Sequence, residues 1–167
     1  SAKKQSNVNT KDKDGATPLH LAAQENDLAA IQTLLDKGAN MEEKDNDDRT
    51  PLHFAAFKGH AAAIQALVAK GANIEATNKF GRTSMHFAAF KGHLAAIQAL
   101  LDKGANMEEK DNDGSTPLHL AAFEGHAAAI QALLDKGANI EAKVNNDRTP
   151  LHLAAEKGQE SAIQALL

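Results

Sequence analysis

With 167 residues, 43% of them hydrophobic and 24% charged, the chain is long enough and apolar enough to bury a core, which excludes a disordered tail. A net charge of -4 gives no general attraction to DNA or an anionic membrane, and the absence of cysteine excludes a disulfide framework and thiolate chemistry. No apolar run approaches the roughly 18 residues of a spanning helix, and the opening SAKKQSNVNTK lacks the apolar middle of a signal peptide, so an intracellular, cytoplasmic setting is expected.

Residues 1–11 read as the stub of a hairpin closing a preceding unit, because Asn7 to Lys11 matches hairpin segments further on. In the unit at 12–44, Thr17 at an N-cap followed by Pro18 at N1 starts a first helix: the hydroxyl accepts an orphan N–H, and the missing proline N–H costs nothing there. That helix runs through Ala22 and Ala23 and ends near Asn26, a residue that tolerates left-handed backbone. The second helix carries an apolar stripe of Ile31, Leu34 and Leu35, with Gln32 off the stripe, and Gly38 stops it. A polar hairpin rich in turn formers follows.

The same elements recur at 45–77, 78–110 and 111–143, and in a truncated unit at 144–167. Asp48 and Asp147 stand where Gly15, Gly81 and Gly114 form the turn, which fits a left-handed position. The third unit departs from the frame, with Ser84 for proline and Met85, a flexible core filler, for leucine.

Thr17, Thr50, Thr83, Thr116 and Thr149 are spaced by 33 residues, and KGAN recurs at Lys37, Lys70, Lys103 and Lys136 with the same period. A fixed period of this length means a solenoid. The TPLHxA signature at this spacing resembles the ankyrin repeat over essentially the whole chain. The resemblance implies an all-α repeat solenoid of stacked helix-turn-helix units with projecting β-hairpin loops. Polar capping units are not recognisable at the ends, so the chain reads as an excerpt of a longer array or as an engineered one. Scattered departures such as Asn26, Ser84 and Val144 favour a natural origin.

All eight histidines fall at two framework positions, His20, His53, His86, His119 and His152 in TPLH and His60, His93 and His126 after the glycine that ends the first helix. No pair has the i, i+4 spacing of a helical zinc site, so they are read as structural, and no metal is expected. The resemblance implies that the TPLH histidine bonds its own turn and the neighbouring loop. An EF-hand loop with its glycine at Gly114 would need a glutamate where Leu120 stands, so EKDNDG is not a calcium loop. No phosphate loop, GxSxG or cysteine nucleophile is present, and paired carboxylates such as Glu108 and Glu109 lie in loops beside lysines. Neither catalysis nor a cofactor is expected.

In the family resembled, partners dock on the concave side, on hairpin tips and the exposed face of the first helix. The copies here differ most at the matching positions. Phe57, Phe90 and Phe123 share one position, so stacked helices would set them about 10 Å apart as an apolar ladder, exposing roughly 200 to 300 Å². Packing against the next helix is the alternative. The third unit alone has a positive net charge, +2, and Lys79, Arg82 and Lys91 surround Phe80 and Phe90 with no acid from Asn78 to His93. With Arg49, Lys58 and Glu124, these residues form the candidate binding set. The expected function is non-catalytic protein binding by a monomer, with an acidic or phosphorylated peptide bearing apolar anchors along the concave face. A nucleotide or single-stranded RNA stacked on Phe80 or Phe90 is a second reading, and a consensus-like scaffold without a natural partner is a third.

Overall fold

A computed structural model describes residues 8–167, so most of the expected stub, including Asn7, lies outside the described residues. The described part contains ten α-helices and no strand. They form five antiparallel pairs: α1 (Pro18–Gln24) with α2 (Leu28–Asp36), α3 (Pro51–Lys58) with α4 (Ala61–Ala69), α5 (Ser84–Lys91) with α6 (Leu94–Asp102), α7 (Pro117–Glu124) with α8 (Ala127–Asp135), and α9 (Pro150–Glu156) with α10 (Glu160–Leu166). First helices stack on first helices and second helices on second helices, which makes an all-α solenoid.

Each first helix starts where its Thr caps it. The Thr17 hydroxyl accepts from the His20 N–H, and the His20 ring accepts from the Thr17 N–H, a reciprocal pair repeated in every unit. Ser84 begins α5 with this same pair, so proline is dispensable at that position. Met85 is fully buried in the row otherwise filled by Leu19, Leu52 and Leu118. Ile31, Ile64, Ile97 and Ile130 form the matching row of the second helices, each at most 1% exposed. Alanine pairs such as Ala55 and Ala56, both fully buried, let the helices approach closely.

Turns fall where left-handed backbone was expected: Asn26, Asp48 and Asp147 have φ of 56°, 60° and 64°. At Gly59 the requirement is also steric, since a Cβ there would come within 2.7 Å of the His93 ring of the next unit. The projecting hairpins are reduced to tight turns. Asp45 N–H donates to the Arg49 carbonyl, and one N–H, from Asn46, crosses to the Asp14 carbonyl of the preceding unit, both at 3.0 Å. The Asp45 carboxylate takes the N–H groups of Asp47 and Arg49, so these donors point inward and no strand ladder develops.

Two rows of histidine join the units. His20, His53, His86 and His119 each accept the Thr N–H at Nδ1, which leaves the proton on Nε2. That N–H donates forward, 29 residues on, to the carbonyls of Arg49, Arg82, Ser115 and Arg148 at 2.8 to 3.2 Å. His60, His93 and His126 reach backward, 36 residues, to the carbonyls of Gln24, Phe57 and Phe90. Gln159 takes this role in the last unit, donating to the Phe123 carbonyl. These backward bonds satisfy carbonyls that the first helix leaves open at its C-terminus. Among the described residues, no three His, Cys, Asp or Glu side chains converge on a point where a metal could sit.

Burial holds the imidazoles of His20, His53, His86 and His119 below their ordinary value, partly offset by the carbonyl each donates to; His53 falls to about 4. Between pH 6.5 and about 4 the unfolded chain therefore binds more protons than the folded one, so stability is lost as pH falls through that window. From His53 alone, about 2 kcal/mol should disappear between pH 7.5 and pH 5.0. Urea unfolding at the two pH values measures it, and a His53→Gln variant should show a shallower pH dependence than the parent. Equal stability at both pH values would refute the stapling role.

Candidate functional site

The turn tips and the exposed side of the first helices share one face, and two rows of five side chains run along it. The residue before each Thr gives Ala16, Arg49, Arg82, Ser115 and Arg148. The residue after each TPLH histidine gives a floor of Leu21, Phe54, Phe87, Leu120 and Leu153. The forward histidines touch both rows: the carbonyls of Arg49, Arg82, Ser115 and Arg148 in the first row accept the imidazole N–H, while the His20 and His53 rings pack edge-on against Phe54 and Phe87 of the floor at 4.9 and 5.3 Å.

Two cavities open on this face. The first, about 410 Å³, is lined by Ala16, Leu21, Gln24, Arg49, Phe54, Phe57, Lys58 and Phe87 among others. The second, about 520 Å³, is lined by Arg82, Phe90, Asp113, Ser115, Leu120, Phe123, Arg148 and Leu153 among others. Each includes a small residue of the first row, Ala16 or Ser115, where other units carry arginine.

The candidate residues divide between these cavities. Phe57, Lys58 and Arg49 belong to the first, and Arg82, Phe90 and Phe123 to the second. Phe80, 53% exposed, lines neither, and Lys79 lies over its ring at 5.2 Å. The three ladder rings do not stack into a continuous strip. Phe57 meets Phe87 edge-on at 5.9 Å, Lys91 covers Phe57 at 5.1 Å and Lys157 covers Phe123 at 4.8 Å. Glu124 is half-buried at the end of α7.

The positive frame of the third unit is largely neutralised by its neighbours. The Lys79 ammonium sits 2.5 Å from the Asp47 carboxylate of the preceding unit, which holds the Asp47 carboxyl below its ordinary value. Arg82 donates through Nε to Asp111 of the following unit at 3.1 Å. Arg49 instead binds its own turn, donating from Nε and Nη2 to Asp45 at 2.8 and 2.7 Å. The difference follows from sequence. Where Asp45 and Asp111 hold their turns with one carboxylate oxygen and offer the other to an arginine, Asn78 holds its turn with an amide and offers no charge, so Arg82 leans across to Asp111. Arg148, whose turn begins with Val144, pairs with Glu156.

Sequence reasoning passed over the floor row, although the position after the TPLH histidine is apolar in all five units. It also assigned no role between units to Asn46, Asn112 and Asn145, variable positions of the concave side whose side chains donate to backbone carbonyls of the adjoining turn, from Lys13, Lys79 and Asn112. The signal was a covariation: Gly15, Gly81 and Gly114 each precede such an asparagine by 31 residues, whereas Asp48 precedes Lys79.

The family model for ankyrin repeats matches the chain in three overlapping copies, at residues 2–78, 63–144 and 85–167. A search of the curated proteins finds no match.

The pairing rule at Asn78 is testable by a double-mutant cycle on unfolding free energy. Arg82→Ala and Asp111→Asn should show a coupling of about 1 kcal/mol or more, because Asp111 is buried. Adding Asn78→Asp should draw Arg82 back to its own turn and reduce that coupling towards zero. An unchanged coupling would reject the rule.

Proposed function

The chain belongs to the ankyrin-repeat family, whose repeats are generally protein-interaction modules, and from that premise we propose that it binds an extended partner segment on its concave face without catalysis. The observation that carries this reading is the pair of cavities on one face, each lined by phenylalanine and leucine and opened by a small residue in an arginine row. A segment spanning both would anchor an apolar side chain in each, and the histidine bonds beneath hold the walls in place before the partner arrives, which limits the ordering cost of binding. Arg49, Phe57 and Lys58 would serve the first anchor, and Arg82, Phe90 and Phe123 the second.

An acidic or phosphorylated partner has less support than the third unit's net charge suggested, because Lys79 and Arg82 are paired with neighbouring carboxylates and Lys91 lies over Phe57. Nucleobase stacking on Phe80 is not favoured either, since Lys79 covers that ring and its ammonium is held by Asp47.

Peptides selected from a random display library on this chain should perturb the amide resonances of residues lining the two cavities. Phe90→Ala combined with Phe123→Ala should weaken these peptides at least tenfold while the chain stays folded, as expected when aromatic anchors near an interface centre are truncated. Selected peptides that perturb only the second helices, or that bind the double variant normally, would exclude this face as the site.

A further inference from the structure

The side chains that cover the ladder rings follow a fixed register. Lys91 lies over Phe57 and Lys157 over Phe123, each lysine reaching back from the next unit and following its ring by 34 residues. The same step from Phe90 arrives at Glu124. Among the described residues, Phe90 is thus the ladder ring that receives no cation, and a carboxylate holds the position from which lysine covers the other two. Among the described residues, Glu124 has neither a side-chain hydrogen bond nor an ion pair.

Phe90 lines the 520 Å³ cavity, and so does Asp113, whose carboxylate is likewise unpaired among the described residues. The two arginines lining the same cavity are engaged, Arg82 by Asp111 and Arg148 by Glu156. Among the described residues, the unpaired charge lining this cavity is therefore Asp113, and Glu124 holds the register position of the ring-covering lysines; both are negative, on a chain whose net charge is -4.

We propose that the Phe90 ring, Glu124 and Asp113 form a subsite for one cationic side chain, lysine or arginine, of the bound peptide. The inference rests on the groove-binding reading above and gives that partner a chemical character. An aromatic face attracts a cation through its quadrupole, more strongly once water is excluded, and a carboxylate alongside adds a charge-assisted hydrogen bond. Lys91 and Lys157 are internal templates for the arrangement, with ammonium groups 5.1 and 4.8 Å from ring centres of the same row. A lysine at position 124 would occupy the ring from within, as in the units on either side, whereas glutamate leaves it open and supplies the counter-charge.

The test uses peptides selected from a random display library on the parent chain, synthesised with a fluorophore and titrated by anisotropy. They should carry lysine or arginine at one fixed position, and replacing it with norleucine, which keeps the apolar stem and removes the charge, should weaken binding about tenfold. On Glu124→Lys, which restores the register, and on Phe90→Leu, which keeps an apolar floor without a ring, the same replacement should cost less than threefold. Thermal unfolding of each variant establishes that it is folded. An undiminished penalty on both folded variants, or groove-binding peptides without a fixed basic position, would overturn the cation subsite while leaving groove binding intact. Selected peptides that leave the cavity-lining amide resonances unmoved would overturn both readings.

Discussion

An imidazole N–H donated to a carbonyl in the adjoining unit is the interaction on which the rest of this structure depends. A helix pair cannot bury both its faces alone, so each unit needs its neighbour, and hydrophobic contact by itself fixes neither distance nor register. The histidines supply both. Forward bonds from His20, His53, His86 and His119 fix the residue before the next Thr, and backward bonds from His60, His93 and His126 fix the residue two short of the glycine or asparagine that ends the preceding first helix. Those are the rows that wall the groove. The framework histidines thus act on the groove by position, holding Arg82 and Phe90 through their main chains and leaving the side chains to face it.

Much of the variation among the units is variation in how they address one another. Asn46 sits against Gly15, and Lys79 in the corresponding place pairs with Asp47 where the turn carries Asp48. Asn78 sends Arg82 to Asp111, Asp45 retains Arg49, and Val144 leaves Arg148 to Glu156. A solenoid assembled from near-identical units needs such local codes to fix its turns: those that cross between units join groups 29 to 33 residues apart in sequence, while Asp45–Arg49 and Arg148–Glu156 close within one unit. Among the groups left outside these pairings are the Phe90 ring and Asp113, which line one cavity, and Glu124, at the register position of the lysines that cover the other ladder rings.

The helices were legible because their signals are local. Thr with Pro at a helix start, Gly or Asn at its end, and the isoleucine and leucine stripe act within a few residues, and the left-handed turns at Asn26, Asp48 and Asp147 follow from side-chain chemistry alone. The ladder position was legible as a repeat of Phe57, Phe90 and Phe123, but not what covers each ring, since the lysine comes from the next unit. Charge was the least legible quantity. Counting within one unit made the third look electropositive, whereas its partners, Asp47 and Asp111, belong to the units on either side. The floor row was overlooked because an apolar residue on a first helix reads as core, and Phe54 and Phe87 do pack against histidine rings while lining a cavity.

The stapling bond can be observed directly by long-range nitrogen–proton NMR correlation of the imidazole rings near pH 7.5. For His20, His53, His86 and His119 the account predicts neutral rings protonated at Nε2, with ring protons protected from exchange by the carbonyls they meet. Rings protonated at Nδ1, or Nε2 protons that exchange as fast as those of a free imidazole, would contradict it.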